Sequence, residues 1–169
     1  MNKPIHHFFT SDHRRLELIL AQATVQEDQI DPELYHQFRT GLLKHIKMEE
    51  KILFPAAQRA NGGIALPLAA KLRLDHGAIT SLMVLPPDKT ILKVLLHVLN
   101  EHDLLEEQPG GMYELCEKLT EAETQNILTQ LAQTTEVPVH PFNGADYALK
   151  AAKNALARAG YDYDALIQT

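Results

Sequence analysis

Apolar residues recur at three- and four-residue intervals through most of this chain, and clusters of breakers cut that pattern into helix-length pieces. Leu16, Ile19, Leu20 and Ala23 share a stripe with His13, which predicts a first helix over roughly residues 11–25 with Thr10 or Ser11 as its cap. The polar run QEDQIDPE interrupts the pattern. Asp31-Pro32 then reads as a start signal, with Asp as N-cap and Pro in the first turn, and Leu34, Phe38, Leu42, His45, Met48 and Ile52 carry a second helix to about Gln58. Asn61-Gly62-Gly63 ends it. A third helix, from about Pro67 to Met83, presents Leu68, Leu72, His76, Ile79 and Met83 until Pro86-Pro87 stops it. The fourth begins near Asp88 and turns Leu92, Leu95, Leu99 and His102 inward until Pro109-Gly110-Gly111 disrupts its end.

Short links between such segments make successive helices antiparallel neighbours, so the expected fold is all-α, an antiparallel four-helix bundle over about residues 8–118. The remainder, about 119–169, is expected to pack on the outside. There MYELCEKLTEAETQNILTQLAQ reads as one helix or two short ones, VPVHPFNG as an extended connector, and ADYALKAAKNALARAG as an Ala-rich helix closed by Gly160. With 45% hydrophobic residues, 169 residues suffice for one domain with a full core.

Charge and cysteine content exclude several function classes. A net charge of -6 without any Lys/Arg run argues against nucleic acid as a partner, because neutralising phosphates needs clustered cations. No apolar run approaches the ~20 residues that span a bilayer. The N-terminal stretch MNKPIHHFFTSDHRRLE lacks an apolar signal-peptide core. A soluble, cytoplasmic protein is therefore expected. Cys116 is the only cysteine, which rules out an intrachain disulfide and a thiolate metal cage, so any metal must be held by nitrogen and oxygen.

Such donors occur in a helical pattern. A His followed four residues later by Glu places imidazole and carboxylate on one helix face, one turn apart. Four such pairs occur: His13-Glu17, His45-Glu49, His97-Glu101 and His102-Glu106. Spacing alone does not choose among them, since an isolated instance reads equally as a solvated pair contributing a few tenths of a kcal/mol. Burial does. His45 and Glu49 share a stripe with Leu42, Met48, Ile52 and Leu53, where a carboxylate without a cation costs several kcal/mol. His102 and Glu106 share a face with Leu99 and Leu105. His97 lies about 140° around the helix from His102, so both registers cannot face one centre, and the second is preferred because LLEE follows His102 much as KMEE follows His45.

His13 and His76 complete the pattern, one on each remaining helix, although a lone inward His also reads as a hydrogen-bonded core residue. Asp12 and Asp75 precede them directly, but adjacent residues diverge by about 100°, so each Asp is expected to find its partner on another helix. Glu17 is a rival acceptor for His13. Glu50 and Glu107 are expected to face solvent, as is His36; the His6-His7 pair is expected at the surface, with a place near the pocket mouth as the alternative, and His140 has no assigned role.

The segments SDHRRLELIL, LLKHIKMEEKILFPAA, LRLDHGAI and LNEHDLLEEQPGGMYEL resemble the successive helices of the hemerythrin-like HHE cation-binding family. The second is the most specific, because HxxxEE followed by LFP is a hallmark of that family. The resemblance implies a non-haem centre of two Fe ions inside the bundle, with a bridging oxo or hydroxo group. His13, His45, His76 and His102 would be its terminal ligands and Glu49 and Glu106 its bridging carboxylates. Two departures qualify it. Leu72 occupies the position where oxygen carriers have a fifth His, leaving the four-His, two-Glu set of di-iron proteins that repair damaged iron-sulfur clusters, whose usual N-terminal cysteine-containing segment has no counterpart in this sequence. QPGG replaces the usual LFP or LYP after the second motif, so a distorted end is expected for the fourth helix.

This donor set suits Fe and also Mn or Zn. The expected function is binding, sensing or reduction of a small diatomic ligand, O2 or NO, in an oxidative or nitrosative stress response or in iron-sulfur cluster repair. Two alternatives stay open: a metal-binding or storage module without gas chemistry, and a metal-free helical interaction domain. A ferritin-like oxidase fits poorly, since it needs two Glu-x-x-His motifs and only Glu33-His36 is present.

Overall fold

The computed structural model describes residues 3–26 and 29–168. Its elements are helical: α1 (Pro4–Ala23), α2 (Pro32–Met48), a π-helical turn (Glu49–Leu53), α3 (Phe54–Ala60), α4 (Ala69–Val84), α5 (Lys89–Glu107), α6 (Met112–Leu119), a 3-10 turn (Glu121–Glu123), α7 (Thr124–Ala132), α8 (Asp146–Ala159) and α9 (Tyr163–Gln168). No helix among the described residues is long and apolar enough to cross a membrane. The chain divides into two units, Met1–Ala69 with Leu104–Val139, and Ala70–Asp103 with His140–Thr169.

In the first unit α1 begins seven residues before the expected start. Pro4 lies in its first turn, where the missing N–H costs nothing. The first-turn amides of Ile5 and His6, which have no partner within the helix, donate to Glu117 Oε2 on α6, at 2.8 and 2.9 Å. The cap is thus supplied from a distant part of the chain. Thr10 and Ser11 lie inside the helix, and the Thr10 hydroxyl donates back to the His6 carbonyl at 2.9 Å. Lys3 pairs with Glu114 beside this junction.

The α2 start follows expectation, with Asp31 accepting from the Glu33 and Leu34 amides at 2.9 Å each. Its end does not. Instead of one helix to Gln58, a π-turn intervenes directly before Pro55, where a Pro ring inside a regular helix would clash with the preceding turn. The wider turn shifts the helix phase by about one residue, so Leu53 and Phe54 are buried and Ile52 is only half-buried. Around these helices Ile5, Phe9, Leu16, Leu20, Tyr35, Phe38 and Tyr113 are buried. Fully burying side chains of this size stabilises by roughly 1.5–3 kcal/mol each. Within QEDQIDPE, Glu27 and Asp28 lie outside the described residues.

After α5 the PGG segment breaks the chain as expected, Gly110 taking a left-handed φ of 78° and Gly111 preceding α6. MYELCEKLTEAETQNILTQLAQ forms two helices, α6 and α7, separated by the 3-10 turn.

In the second unit Asp88 caps α5, accepting from the Ile91 amide at 2.8 Å. Leu72, Ile79, Leu82, Met83, Leu95 and Val98 are buried along α4 and α5. Residues 140–144 form an extended connector in which the Asn143 amide donates to the Val84 carbonyl at 2.8 Å. Helix α8 buries Ala148, Ala152, Ala155 and Leu156 and is closed by Gly160 at φ 93°. The short α9 after it has no counterpart in the sequence reading.

Candidate metal centre

The first unit gathers four of the six expected ligands: His13 from α1, His45 from α2, Glu49 from the π-turn and Glu106 from the last turn of α5. The first three are 4%, 1% and 0% exposed, and Glu106 is 0% exposed. Each offers one donor atom, and these atoms all lie within 4.8 Å of one another.

Their chemistry follows from the outward-facing nitrogens. His13 Nδ1 is 2.6 Å from Glu107 Oε1, and His45 Nδ1 is 2.9 Å from Asp12 Oδ2. An ionised carboxylate only accepts, so each Nδ1 carries the hydrogen and each Nε2 is turned inward. The two Nε2 atoms are 2.9 Å apart. Glu49 Oε1 lies 3.3 Å from His45 Nε2, and Glu106 Oε2 lies 3.5 Å from His13 Nε2. Both outer carboxylates stay ionised. Burial raises Asp12, but its hydrogen bonds from His45 and Arg15 prevail and lower its pKa. Glu107 is likewise lowered, by His13 and Arg14 against the effect of burial.

Two imidazoles and two carboxylates thus converge as lone-pair donors in a buried space, with the Tyr113 hydroxyl among them. Its oxygen is 2.5 Å from Glu49 Oε1, 2.9 Å from Glu106 Oε2 and 3.2 Å from each Nε2. Burial and the two glutamates push its pKa well above 10, so it remains a proton donor. Burial lowers the basicity of His45, but Glu49, Asp12 and Glu106 outweigh it and raise its pKa to about 10. A cluster that draws a proton so strongly also suits a cation of higher charge. Imidazole Nε2 with carboxylate oxygen, each imidazole backed by a carboxylate, is a donor set that fits Fe, Mn or Zn. Phe9 closes one side, stacking on Tyr113 at 5.1 Å and meeting His45 edge-on at 5.3 Å.

The second unit brings together the other two imidazoles. His76 and His102 are each 4% exposed, with ring centroids 4.8 Å apart. His102 Nδ1 faces Asp75 Oδ2 at 3.5 Å, and Asp75 is fully buried. Burial raises the pKa of Asp75, but His102 and Lys71 lower it further. The two Asp-His steps therefore work as expected: Asp12 engages the imidazole of α2 and Asp75 that of α5, each on a helix other than its own.

His102 and Glu106 are buried on α5, whereas His97 and Glu101 are exposed, in keeping with the preferred register. Glu17 is exposed and pairs with Arg14 at 3.1 Å, so it is not the acceptor of His13. That role belongs to Glu107, which the helical wheel placed toward solvent; α1 approaches α5 from the side to which Glu107 turns. His6 is half-buried, with Nε2 3.4 Å from the Glu107 carbonyl, while His7 and His36 are exposed as expected. Tyr113 was missed, although a Tyr on the apolar stripe of Met112 and Cys116 requires a partner for its hydroxyl. Cys116 is fully buried, and burial beside Glu49, Glu106 and Glu117 pushes its thiol pKa up, which keeps it protonated and inert.

No curated protein and no solved structure matches the chain significantly. The profile of the hemerythrin HHE cation binding domain matches residues 5–109, which is more than half of the sequence and includes all six expected ligands. With the buried His and Glu groups described above, this match makes the protein a metal-binding one, and the chain belongs to the hemerythrin HHE cation-binding domain family.

Proposed function

We propose that His13, His45, His76 and His102, with Glu49 and Glu106, hold two iron ions, and that the centre binds, senses or reduces O2 or NO. The observation that carries this reading is the convergence of His13 and His45 Nε2, 2.9 Å apart, on two buried carboxylates, each imidazole oriented by a carboxylate behind it. Iron, when bound, supplies open coordination positions and reversible electron transfer to a diatomic molecule.

The protein's own groups do the rest. Glu107 and Asp12 fix the tautomers of His13 and His45, and Asp75 faces the outer nitrogen of His102. Tyr113 keeps a proton beside Glu49 and Glu106, a hydrogen-bond donor in an otherwise acceptor-rich space. Phe9 and the buried stem of Tyr113 exclude water, and the protonated Cys116 offers no competing thiolate.

The expected metal content is about two ions per chain. Anaerobic loading with Fe(II), followed by absorption and paramagnetic resonance spectroscopy on addition of O2 or NO, tests the gas chemistry. Retained iron with spectral changes on gas addition is the expected result. Iron that stays silent to both gases defeats the gas reading, and a chain that retains no metal defeats the whole.

A further inference from the structure

We propose that the C-terminal segment, through Tyr161 and the Ala159 carbonyl, positions the metal ligand His102 by holding Lys71 and Asp75 in place. This rests on His102 being a ligand, as proposed above.

The family match ends at residue 109, so it assigns nothing to residues 140–169. Within the second unit those residues reach, through Lys71, a carboxylate that faces His102. Asp75 presents Oδ2 to His102 Nδ1 and Oδ1 to Lys71 Nζ, the latter at 2.5 Å. Lys71 and Asp75 are one turn apart on α4, and the lysine is 36% exposed. An exposed pair of this kind is ordinarily weak, because the long side chain loses rotamer freedom when held. Here the ammonium is fixed from three directions. Besides Asp75, it donates to the Ala159 carbonyl at 2.8 Å and to the Tyr161 hydroxyl at 3.2 Å, so its three N–H donors meet three acceptors. The ammonium also lies 4.4 Å from the centroid of the Tyr161 ring.

Gly160 makes this convergence possible. Its left-handed φ of 93° reverses the chain after α8, bringing Ala159 and Tyr161 to the same ammonium. Burial together with the nearby Asp75 carboxylate pushes the Tyr161 pKa up, so its hydroxyl stays neutral while accepting from Lys71. Lys71 thus links Asp75 to Tyr161 and to the Ala159 carbonyl. Asp12, which performs the same task for His45, has Arg15 on its own helix, and that side chain is 51% exposed.

The test uses the full chain loaded anaerobically with Co(II), comparing wild type with Tyr161→Phe, Lys71→Met and Asp75→Asn. Two quantities are read: solvent exchange of the hyperfine-shifted Nδ1 proton of each ligated imidazole by NMR, and the rate of Co(II) loss to excess EDTA. Outer partners of metal-bound His typically matter 10–100-fold. For Tyr161→Phe, one step further out, we expect about three- to tenfold faster Co(II) loss, with faster exchange confined to the His102 proton, which Asp75→Asn identifies. Lys71→Met should act in the same direction, and it decides the matter should Tyr161→Phe fold poorly. Wild-type exchange and loss in both variants, with Asp75→Asn still accelerating them, would overturn the role of the C-terminal segment. Equal acceleration at every imidazole would also overturn it, since that marks general loosening. A wild-type chain that binds no Co(II), or an Asp75→Asn variant without effect, would instead show that the ligand assignment itself fails.

Discussion

Glu107→Gln isolates one hydrogen bond at nearly constant volume. In the native protein His13 Nδ1 meets a Glu107 oxygen at 2.6 Å, with His13 4% and Glu107 24% exposed. The amide retains an acceptor, so geometry survives while the charge is lost. A charge-assisted bond is about twice as strong as a neutral one and contributes ~1.5–3 kcal/mol net, so the metal-free protein should lose about 1 kcal/mol. Arg14 also loses one of its two carboxylate partners and keeps Glu17, but its side chain is 57% exposed and the lost pair contributes below about 1 kcal/mol. The larger effect falls on metal affinity, because a neutral acceptor leaves Nε2 a poorer donor. We expect a ~10–100-fold weaker dissociation constant, or about 1.4–2.7 kcal/mol. Competition against a chromophoric chelator, with Zn(II) or Co(II), measures it. Glu17→Gln is the control, since Glu17 is 49% exposed and pairs with the same arginine. The reasoning is refuted if Glu107→Gln binds metal as wild type does, or if Glu17→Gln weakens binding to the same extent.

Three further outcomes follow from the same geometry. Tyr113→Phe removes the hydroxyl that donates to Glu49 and should cost the metal-free protein about 1.5–3 kcal/mol in urea unfolding; the loss should be smaller with metal bound, and an equal loss in both forms would contradict it. Gly111→Ala would place a Cβ 2.7 Å from the Glu106 and Leu105 carbonyl oxygens, which are backbone and cannot step aside. Overpacking of this kind costs about 3 kcal/mol, which should lower the melting temperature by roughly 6–12 °C and weaken metal retention, and an unchanged melt would count against the geometry. Because His45 is raised to about 10, its protonation stabilises the metal-free fold fully below the unfolded value near 6.5, and that contribution is lost as pH rises toward 10. Metal must displace this proton, so affinity should climb about tenfold per pH unit between roughly pH 7 and 9 in chelator competition, and a flat profile would exclude the assignment.

Much of the site was legible because its logic is local. His45-Glu49 and His102-Glu106 need only helical spacing and an apolar face, and the 100° divergence of Asp12 from His13 already directed that carboxylate to another helix. What escaped the sequence depends on which helix approaches from which side. Glu107 looks outward on an isolated helix and becomes the partner of His13 only when α1 lies against it. The start of α1 was missed for the same reason, since its cap is Glu117, far along the chain. Tyr113 sits beyond the PGG break, where ligand spacing no longer guides the eye. The terminus of α2 was misread because periodicity assumes one helical pitch throughout, and Pro55 was a signal that the pitch must change.

That change of pitch has a consequence for how the gene can vary. A π-turn behaves as a single residue inserted into an α-helix. A chain lacking it would align with this one only through a one-residue gap in the middle of a helix, where gaps are ordinarily disallowed. Deleting one residue between Glu50 and Leu53 therefore need not break the helix. It would restore a regular pitch upstream of Pro55 and rotate everything beyond by about 100° relative to His45. Leu53 and Phe54 would then leave the interior, or His45 would leave its partners on the other helices. Reading frame and helix would both survive such a deletion, and the coordination of the two ends of this helix would not.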